Sequence, residues 1–258
     1  MRTLRMGIVG AGANGKSFCR IYSNNEHCDI KVVCDVCEDN LASVKEELRI
    51  PSTTTAFHEV TRSADVDAVS IHTPDSLHAS VALDALSNGK HVFVEKPMAT
   101  SIEDCQKMVR ASEQSNLVLA VGMVLRTDPN FDRLARMVRE GFFGTIFYVH
   151  GTYTVSLLRQ PAEQANVPKK YSPAFMCSGT HTMDLMRWYA GEATEVMAYA
   201  NEHMALPGSK GYDEFTAALY RFENGAIGML SATWADNYDC YPDYEIEIHG
   251  SKATFKNR

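Results

Sequence analysis

Charged side chains follow a short apolar stretch in the segment GKHVFVEKPMAT, residues 89–100. Residues His91–Val94 have the pattern of a buried strand, and Glu95, Lys96 and Pro97 come directly after it. A lysine in this position can share the proton of a substrate hydroxyl and stabilise a developing alkoxide. The ordinary alternative is a solvated strand end, so the rest of the sequence has to decide between the two interpretations.

A second pair of reactive side chains lies in GTHTMDLMRWYAG, residues 179–191. An imidazole changes its protonation near neutral pH, which makes His181 a natural general base. Asp184 is three residues further on, on the same face of a helix, where it can bond a substrate hydroxyl or orient a neighbour. Without other signals, His181 is an ordinary residue at a helix start, and a structural hydrogen bond is an equal alternative for Asp184.

A glycine-rich turn follows the first apolar strand and precedes a helical pattern, which is the context of a dinucleotide-binding motif. Its G-x-G-x-x-G spacing permits a tight turn, a close approach of the backbone to a pyrophosphate, and close packing of the helix on the strand. The free N–H groups at the helix start would bind the anion. The six residues of the turn are Gly10, Ala11, Gly12, Ala13, Asn14 and Gly15.

The second strand, DIKVVCD, ends at Asp35, which is 20 residues after Gly15. This spacing suits a carboxylate that bonds the ribose hydroxyls of the adenosine. The alternative is a helix cap or a turn residue. Because an acid repels a 2′-phosphate, Asp35 favours NAD as the cofactor over NADP.

Strands continue to alternate with helices as far as Gly122, which predicts a doubly wound parallel sheet of the Rossmann type over residues 1–122. Such sheets bind ligands at the carboxyl ends of their strands. Asp35, the His72–Pro74 segment and the Glu95–Pro97 segment all follow strands. We therefore expect residues 1–122 to form a dinucleotide-binding domain.

Longer strands joined by turns follow, which predicts an α+β domain with a largely antiparallel, open sheet over residues 123–258. The dipeptide Asn224–Gly225 is typical of a type I′ hairpin turn. The strand around Phe215–Phe222 carries apolar side chains on both faces. One face can pack on helices, and we expect the other to meet a second subunit in a dimer or tetramer. This domain would bind the substrate and mediate oligomerisation.

The composition narrows the possible partners. The 258 residues carry a net charge of −7 without a basic run, which argues against nucleic acid or an anionic membrane as the partner. No signal peptide or membrane span is evident, so a cytoplasmic location is expected. Seven cysteines make a disulfide framework improbable. The Cys34–Cys37 pair lacks a second pair to complete a metal site, and Cys34 is expected to be a small core residue.

The sequence resembles the Gfo/Idh/MocA oxidoreductases over nearly its whole length. The resemblance rests on GIVGAGANG, on the TPxxxH pattern that ends at His78, on GKHVFVEKPMA, on VGMVLRTDPNF and on GTHTMDLMRWYAG. It implies an NAD(P)-dependent enzyme that acts on sugars, polyols or related hydroxy compounds. It also implies roles for particular residues: Thr73, Pro74, His78 and Glu95 in the cofactor site, Lys96 and His181 in catalysis, and Arg126 and Asp184 near the substrate.

Two features depart from the family pattern. Many members carry an aspartate four residues before the histidine, where this chain has Cys177, and a thiol cannot orient an imidazole as a carboxylate does. Members also continue beyond the turn that corresponds to GSK in the final GSKATFKNR. We therefore expect either a fragment or a short member, with an incomplete second domain.

The function predicted from these observations is hydride transfer between NAD and a secondary alcohol or carbonyl of a sugar, polyol or inositol-like substrate. Alternatives within the same fold are a non-catalytic dinucleotide-binding regulator, a NAD-using glycosidase and a reductase of dihydrodiols or bilins. Arg126 could also pair with a nearby acid such as Asp128. Substrate choice would depend on loops such as residues 156–175.

Overall fold

A computed structural model describes residues 3–155, 175–201, 214–233 and 243–257, apart from the side chains of Cys177 and Asp243. The chain divides into two compact units, Met1–Gly122 and Met123–Arg258, each with its own hydrophobic core. In the described ranges no helix is long and apolar enough to cross a membrane.

The N-terminal unit is built on a six-stranded parallel sheet with the order β3-β2-β1-β4-β5-β6. The chain runs outward from β1 to one edge and then returns to build the other half, which confirms the predicted doubly wound topology. All four residues of β4 are buried, because helices cover both faces of a parallel sheet. The strands are β1 (Leu4–Val9), β2 (Cys28–Cys34), β3 (Thr53–Thr54), β4 (Ala68–Ile71), β5 (His91–Val94) and β6 (Leu119–Val121).

Five α-helices connect these strands, and a short 3₁₀ turn (Asp75–Leu77) leads into the fourth. The start of the fifth is fixed by its sequence, since the hydroxyl of Ser101 accepts a hydrogen bond from the backbone N–H of Asp104 at 3.1 Å. The helices are α1 (Ala13–Ser23), α2 (Glu38–Leu48), α3 (Phe57–Thr61), α4 (His78–Ser87) and α5 (Ile102–Ser115).

Cys34 is a core residue at the end of β2, as expected, with 3% of its surface exposed. Burial, helped by the nearby carboxylates of Asp35 and Glu59, raises the pKa of its thiol to about 11. A thiol held protonated in this way is a poor nucleophile and a poor metal ligand.

The C-terminal unit is a six-stranded mixed sheet with the order β12-β11-β7-β10-β9-β8. Its pairs are antiparallel except for β7 with β10, so the prediction of a largely antiparallel sheet is confirmed. The strands are β7 (Ile146–Thr154), β8 (Ala193–Asn201), β9 (Phe215–Phe222), β10 (Ile227–Thr233), β11 (Asp243–Gly250) and β12 (Thr254–Lys256).

Two helices supply the core on one face of this sheet, α6 (Pro129–Arg139) and α7 (Thr180–Ala190). A 3₁₀ turn (Val124–Thr127) precedes α6, and a π-helical turn (Phe175–Gly179) leads into α7. Alternate residues of β9 are buried, and these are Thr216, Ala218, Tyr220 and Phe222. The other face of the sheet leaves large apolar side chains exposed.

The hairpin between β9 and β10 differs from the predicted type I′ turn. Asn224 keeps a negative φ, and only Gly225 adopts a left-handed φ of 84°. The N–H of Gly225 bonds the carbonyl of Phe222 at 2.9 Å. The loop is therefore a type I turn followed by a left-handed glycine, a geometry that Asn-Gly sequences also permit because only the glycine needs a positive φ.

Lys90 offers a test of the packing in the N-terminal unit. Its buried ammonium donates to the carbonyl oxygens of Ser63 at 2.6 Å and Val66 at 2.8 Å. We expect Lys90→Met to lower the free energy of unfolding by about 2 kcal/mol, because the carbonyl of Val66 would lose the ammonium as its donor and that of Ser63 would keep only the N–H of Val66, at 3.3 Å. Urea unfolding followed by circular dichroism measures the change. The exposed Lys45→Met serves as control and should be nearly neutral, whereas equal stability of Lys90→Met would contradict the expectation.

Candidate active site

The glycine turn between β1 and α1 is closely packed on the side of Gly10 and Gly15 and open on the side of Gly12. A Cβ on Gly15 would collide with the carbonyl oxygen of Gly10, and Gly10 itself has a φ of 95°. A Cβ on Gly12, in contrast, would meet nothing within 4 Å. Gly12, Ala13 and Asn14 are exposed, so the N-terminal N–H groups of α1 are accessible to an anion at the end of the strand.

Asp35 is brought to this turn, as its spacing predicts, and it also braces the turn. One carboxylate oxygen accepts a hydrogen bond from the N–H of Ala11 at 2.6 Å, and the other accepts one from the N–H of Cys37 at 2.8 Å. Each oxygen has a second lone pair, which leaves capacity for ribose hydroxyls. The carboxylate therefore links the glycine turn to the start of α2, a role that spacing alone did not reveal.

The strand-end segments after β4 and β5 are joined by the ring of His78, which is 1% exposed. Its Nε2 lies 3.0 Å from the carbonyl oxygen of Thr73, and its Nδ1 lies 2.8 Å from that of Pro97. Thr73 is half-buried and Pro74 is exposed. His78 thus shapes the predicted cofactor site from beneath, by holding two loops together through their backbones.

Glu95 and Lys96 lie at the end of β5. The carboxylate of Glu95 is 12% exposed and accepts a hydrogen bond from the N–H of Lys96 at 3.3 Å. A Cβ on Gly122 would come within 3.2 Å of the same carboxylate, so a glycine makes room for it. Lys96 is half-buried, and its peptide bond to Pro97 is cis.

Arg126 and Asp184 form a two-pronged ion pair in the C-terminal unit. The guanidinium donates to both oxygens of the carboxylate, at 2.7 Å and 2.8 Å, and stacks 5.1 Å from the ring of Trp188. The hydrogen bonds to Asp184 raise the pKa of Arg126. The partner of Arg126 is thus Asp184, where the sequence had offered Asp128 as an alternative. Asp184 is 13% exposed, which leaves little of it open to a substrate.

His181 lies in the first turn of α7 and is 5% exposed. The ring of Tyr153 stacks on it, with centroids 6.2 Å apart and planes 17° apart. Tyr244 packs edge-on against Tyr153 and donates a hydrogen bond to its hydroxyl at 3.2 Å. Sequence reasoning missed both tyrosines. The sequence places both tyrosines in strands, but their contact depends on the pairing of those two strands, which the sequence does not reveal.

Two predicted features lie outside the described residues. The side chain of Cys177 is one, and the loop over residues 156–174 is the other.

An open groove of about 620 Å³ lies in the C-terminal unit, between α6, β11 and β12. Its lining does not include His181, Asp184 or Arg126, so we do not assign it to the substrate. Its lining residues include Phe131, Leu134, Met137, Tyr244 and Phe255.

Comparison with known families identifies both units. Residues 4–123 match a family described as an oxidoreductase family with an NAD-binding Rossmann fold. Residues 131–256 match the GFO/IDH/MocA C-terminal domain. The chain belongs to the Gfo/Idh/MocA oxidoreductase family. The resemblance noted from its motifs is thereby confirmed, and so is NAD as the cofactor type of its first domain.

Named members of the Gfo/Idh/MocA family are similar along almost the whole chain. A myo-inositol 2-dehydrogenase of Thermotoga maritima is 26% identical over 97% of this chain and 74% of its own length. A 2,7-anhydro-N-acetylneuraminate hydratase of Escherichia coli is 26% identical over 98% of this chain and 67% of its own length. The structure of scyllo-inositol dehydrogenase from Lactobacillus casei with NAD(H) and scyllo-inositol superimposes with a TM-score of 0.89 at 27% identity, over 99% of this chain and 76% of that one.

His78 provides a test of how a Gfo/Idh/MocA chain builds its strand-end loops. We expect His78→Phe to lower the free energy of unfolding by about 2 kcal/mol, because the carbonyl of Thr73 or Pro97 that accepts the ring N–H would lose its buried donor. NADH binding should weaken as well, since both loops carry predicted cofactor residues. Urea unfolding and an NADH titration measure the two effects. The exposed His27→Phe is the matched control, and unchanged values for His78→Phe would refute the bridging role.

Proposed function

We propose that this chain catalyses NAD-dependent hydride transfer to or from a secondary alcohol or carbonyl of a polyol, inositol-like or sugar-derived substrate. The observation that carries the proposal is the glycine turn, open above Gly12 and braced by Asp35, at the carboxyl edge of a doubly wound sheet. Ligands bind such sheets at this edge. The names of relatives that act on inositols support the substrate class.

Asp35 is the proposed determinant of NAD over NADP. Its carboxylate is fixed by two backbone N–H groups, so it cannot swing away from a cofactor that carries a 2′-phosphate. A fixed negative charge at this distance from the turn repels the phosphate and accepts hydrogen bonds from the free hydroxyls of NAD. The other proposed cofactor residues are Gly10, Ala11, Gly12, Ala13, Asn14, Gly15, Thr73, Pro74, His78, Glu95 and Lys96.

Lys96 and His181 are the proposed catalytic residues. In the oxidation, a hydride leaves the carbon that bears the hydroxyl, and a proton leaves the oxygen. In the reduction, a hydride joins the carbonyl carbon, and a proton joins the oxygen. We assign that proton to His181, an imidazole, and the stabilisation of the developing alkoxide to Lys96, an ammonium. Arg126 and Asp184 are proposed to bind the substrate. The arginine is the hydrogen-bond donor of the pair and the more exposed of the two.

The two units divide the work in this proposal. Residues 1–122 bind the dinucleotide, and residues 123–258 bind the substrate and mediate self-association. We place the protein in the cytoplasm, where NAD is available.

One relative is named as a hydratase, and hydration involves no net redox change. In a reaction of this kind the hydride would be taken from the substrate and returned to the product.

A homo-oligomer that forms through the exposed face of the C-terminal sheet is part of the proposal. Met197, Leu219 and Met229 face each other in register across β8, β9 and β10, and each is at least 37% exposed. The edge strand β8 also exposes Tyr199 on this face. A contiguous apolar row of this kind is typical of a subunit interface.

Lys96→Met tests the catalytic assignment. We expect this variant to lose turnover but to bind NADH nearly as the wild type does, because Lys96 is only one of the proposed cofactor residues and the glycine turn and Asp35 are untouched. Fluorescence titrations with NADH and NADPH report binding, and absorbance at the NADH band reports net redox turnover of inositols and sugars. Product analysis by chromatography detects turnover without net NADH change. Wild-type turnover in the variant would rule out a catalytic Lys96.

Leu219→Glu tests self-association. A charge in the centre of the apolar row should split the oligomer, because its burial between subunits would go uncompensated. Light scattering after gel filtration measures the mass. Ile102→Glu is the control, since Ile102 is 80% exposed in the N-terminal unit. A monomeric wild type, or an oligomer that survives Leu219→Glu, would refute the proposed interface.

A further inference from the structure

His72 is a buried histidine directly beneath the glycine turn, and no role has been assigned to it so far. Its side chain is fully buried. The ring packs against Phe18 of α1, with centroids 4.4 Å apart, and against Phe93 of β5, with centroids 6.0 Å apart, and the two phenylalanine rings also contact each other at 5.4 Å. A Cβ on Gly15 would come within 3.2 Å of the Cβ of His72, so the turn rests on this residue.

The two ring nitrogens of His72 face different groups. Nε2 lies 2.8 Å from the hydroxyl of Ser70, which lies 3.0 Å from the hydroxyl of Tyr22. Nδ1 is buried and makes no hydrogen bond within the described ranges. It points toward the carboxylate of Glu95, whose Oε1 is 3.7 Å away.

The protonation of His72 follows from its surroundings. Burial, and to a smaller extent the nearby His78, lower the pKa of the ring to about 3, so the ring is neutral at neutral pH. A neutral imidazole carries one proton. If that proton were on Nε2, the lone pair of Nδ1 would face a carboxylate in a site closed to water, which is an unfavourable arrangement.

The opposite arrangement gives both hydroxyls and Nε2 suitable partners and turns the remaining ring proton toward a carboxylate. Tyr22 donates to Ser70, Ser70 donates to Nε2 of His72, and the proton on Nδ1 faces Glu95. The separation of 3.7 Å is longer than an ordinary hydrogen bond, so a shift of several tenths of an ångström would close it. Hydrogen bonds in a binding site often tighten only when the ligand is bound.

We infer that His72 is a positioning residue, which as the Nδ1–H tautomer directs the carboxylate of Glu95 into the cofactor site and closes on it when the dinucleotide binds. The inference rests on the proposed function, in which Glu95 is a cofactor residue. His72 itself lies below the turn and reaches the dinucleotide only through Glu95.

The tautomer can be read directly in the protein without cofactor. Nitrogen chemical shifts of ¹⁵N-histidine-labelled protein distinguish Nδ1–H from Nε2–H, and the signal of His72 is assigned by its loss in His72→Phe. We expect Nδ1–H, with a downfield shift of its proton on addition of NADH. An Nε2–H tautomer would overturn the inference whether or not the chain binds NADH.

Three substitutions separate positioning from packing. In asparagine the amide nitrogen is bonded to Cγ, as Nδ1 is in histidine, whereas the amide of glutamine lies where Nε2 does. Phenylalanine keeps the ring and lacks both nitrogens. We expect His72→Asn to retain NADH affinity, and His72→Gln and His72→Phe to weaken it about tenfold. If the ring only fills space, the order reverses, because phenylalanine packs best against the rings of Phe18 and Phe93.

A double-mutant cycle tests the route through Glu95. In a Glu95→Met background, His72→Phe should weaken NADH binding no further, because the acceptor that it positions is absent. An additional tenfold loss would overturn the inference. Circular dichroism confirms that each variant is folded. Failure of the wild type to bind NADH would refute the proposed function, and the tautomer measurement would still decide the state of His72.

Discussion

The close approach of α1 to the carboxyl end of β1 is the constraint on which the N-terminal unit depends. The two backbones meet where Gly15 faces Gly10, and a single added Cβ would make the contact impossible. This approach sets the positive end of the helix dipole over the strand end, where an anionic group would be stabilised. It also sets the floor of the site, because His72 fills the space directly beneath the turn.

Parallel strands bring residues that are far apart in sequence to the same edge, and backbone hydrogen bonds then fix their positions. Asp35 is tied to Ala11, and His78 is tied to the loops of Thr73 and Pro97. A hydrogen bond from a side chain to a backbone group does not depend on which side chain the bonded residue carries. These bonds fix the segments that follow β1, β2, β4 and β5, so less order has to be imposed when a ligand binds.

The sequence predicted the N-terminal unit well because its signals are local. The strands alternate with helices, the glycine turn has a fixed spacing, and Asp35 follows at the expected distance. The contacts that complete the site could not be predicted, since they depend on strand order. The pairing of Tyr153 with Tyr244 needs β7 beside β11, and Arg126 meets Asp184 58 residues away. The hairpin at Asn224–Gly225 shows a local limit, because the same dipeptide suits a type I′ turn centred on Asn224–Gly225 and the observed type I turn centred on Glu223–Asn224.

The C-terminal unit shows how a sheet can serve two purposes. One face is sealed by α6 and α7, and the catalytic candidate His181 is held there against Tyr153, which in turn bonds Tyr244. The other face presents Met197, Leu219 and Met229 in one row. Because side chains alternate along each strand, neighbouring residues of the same strand belong to different faces. A shift of one residue in register would exchange the two faces of a strand, so the contact of Tyr153 with Tyr244 depends on the register of β7 with β11, and the exposed apolar row on that of β8, β9 and β10.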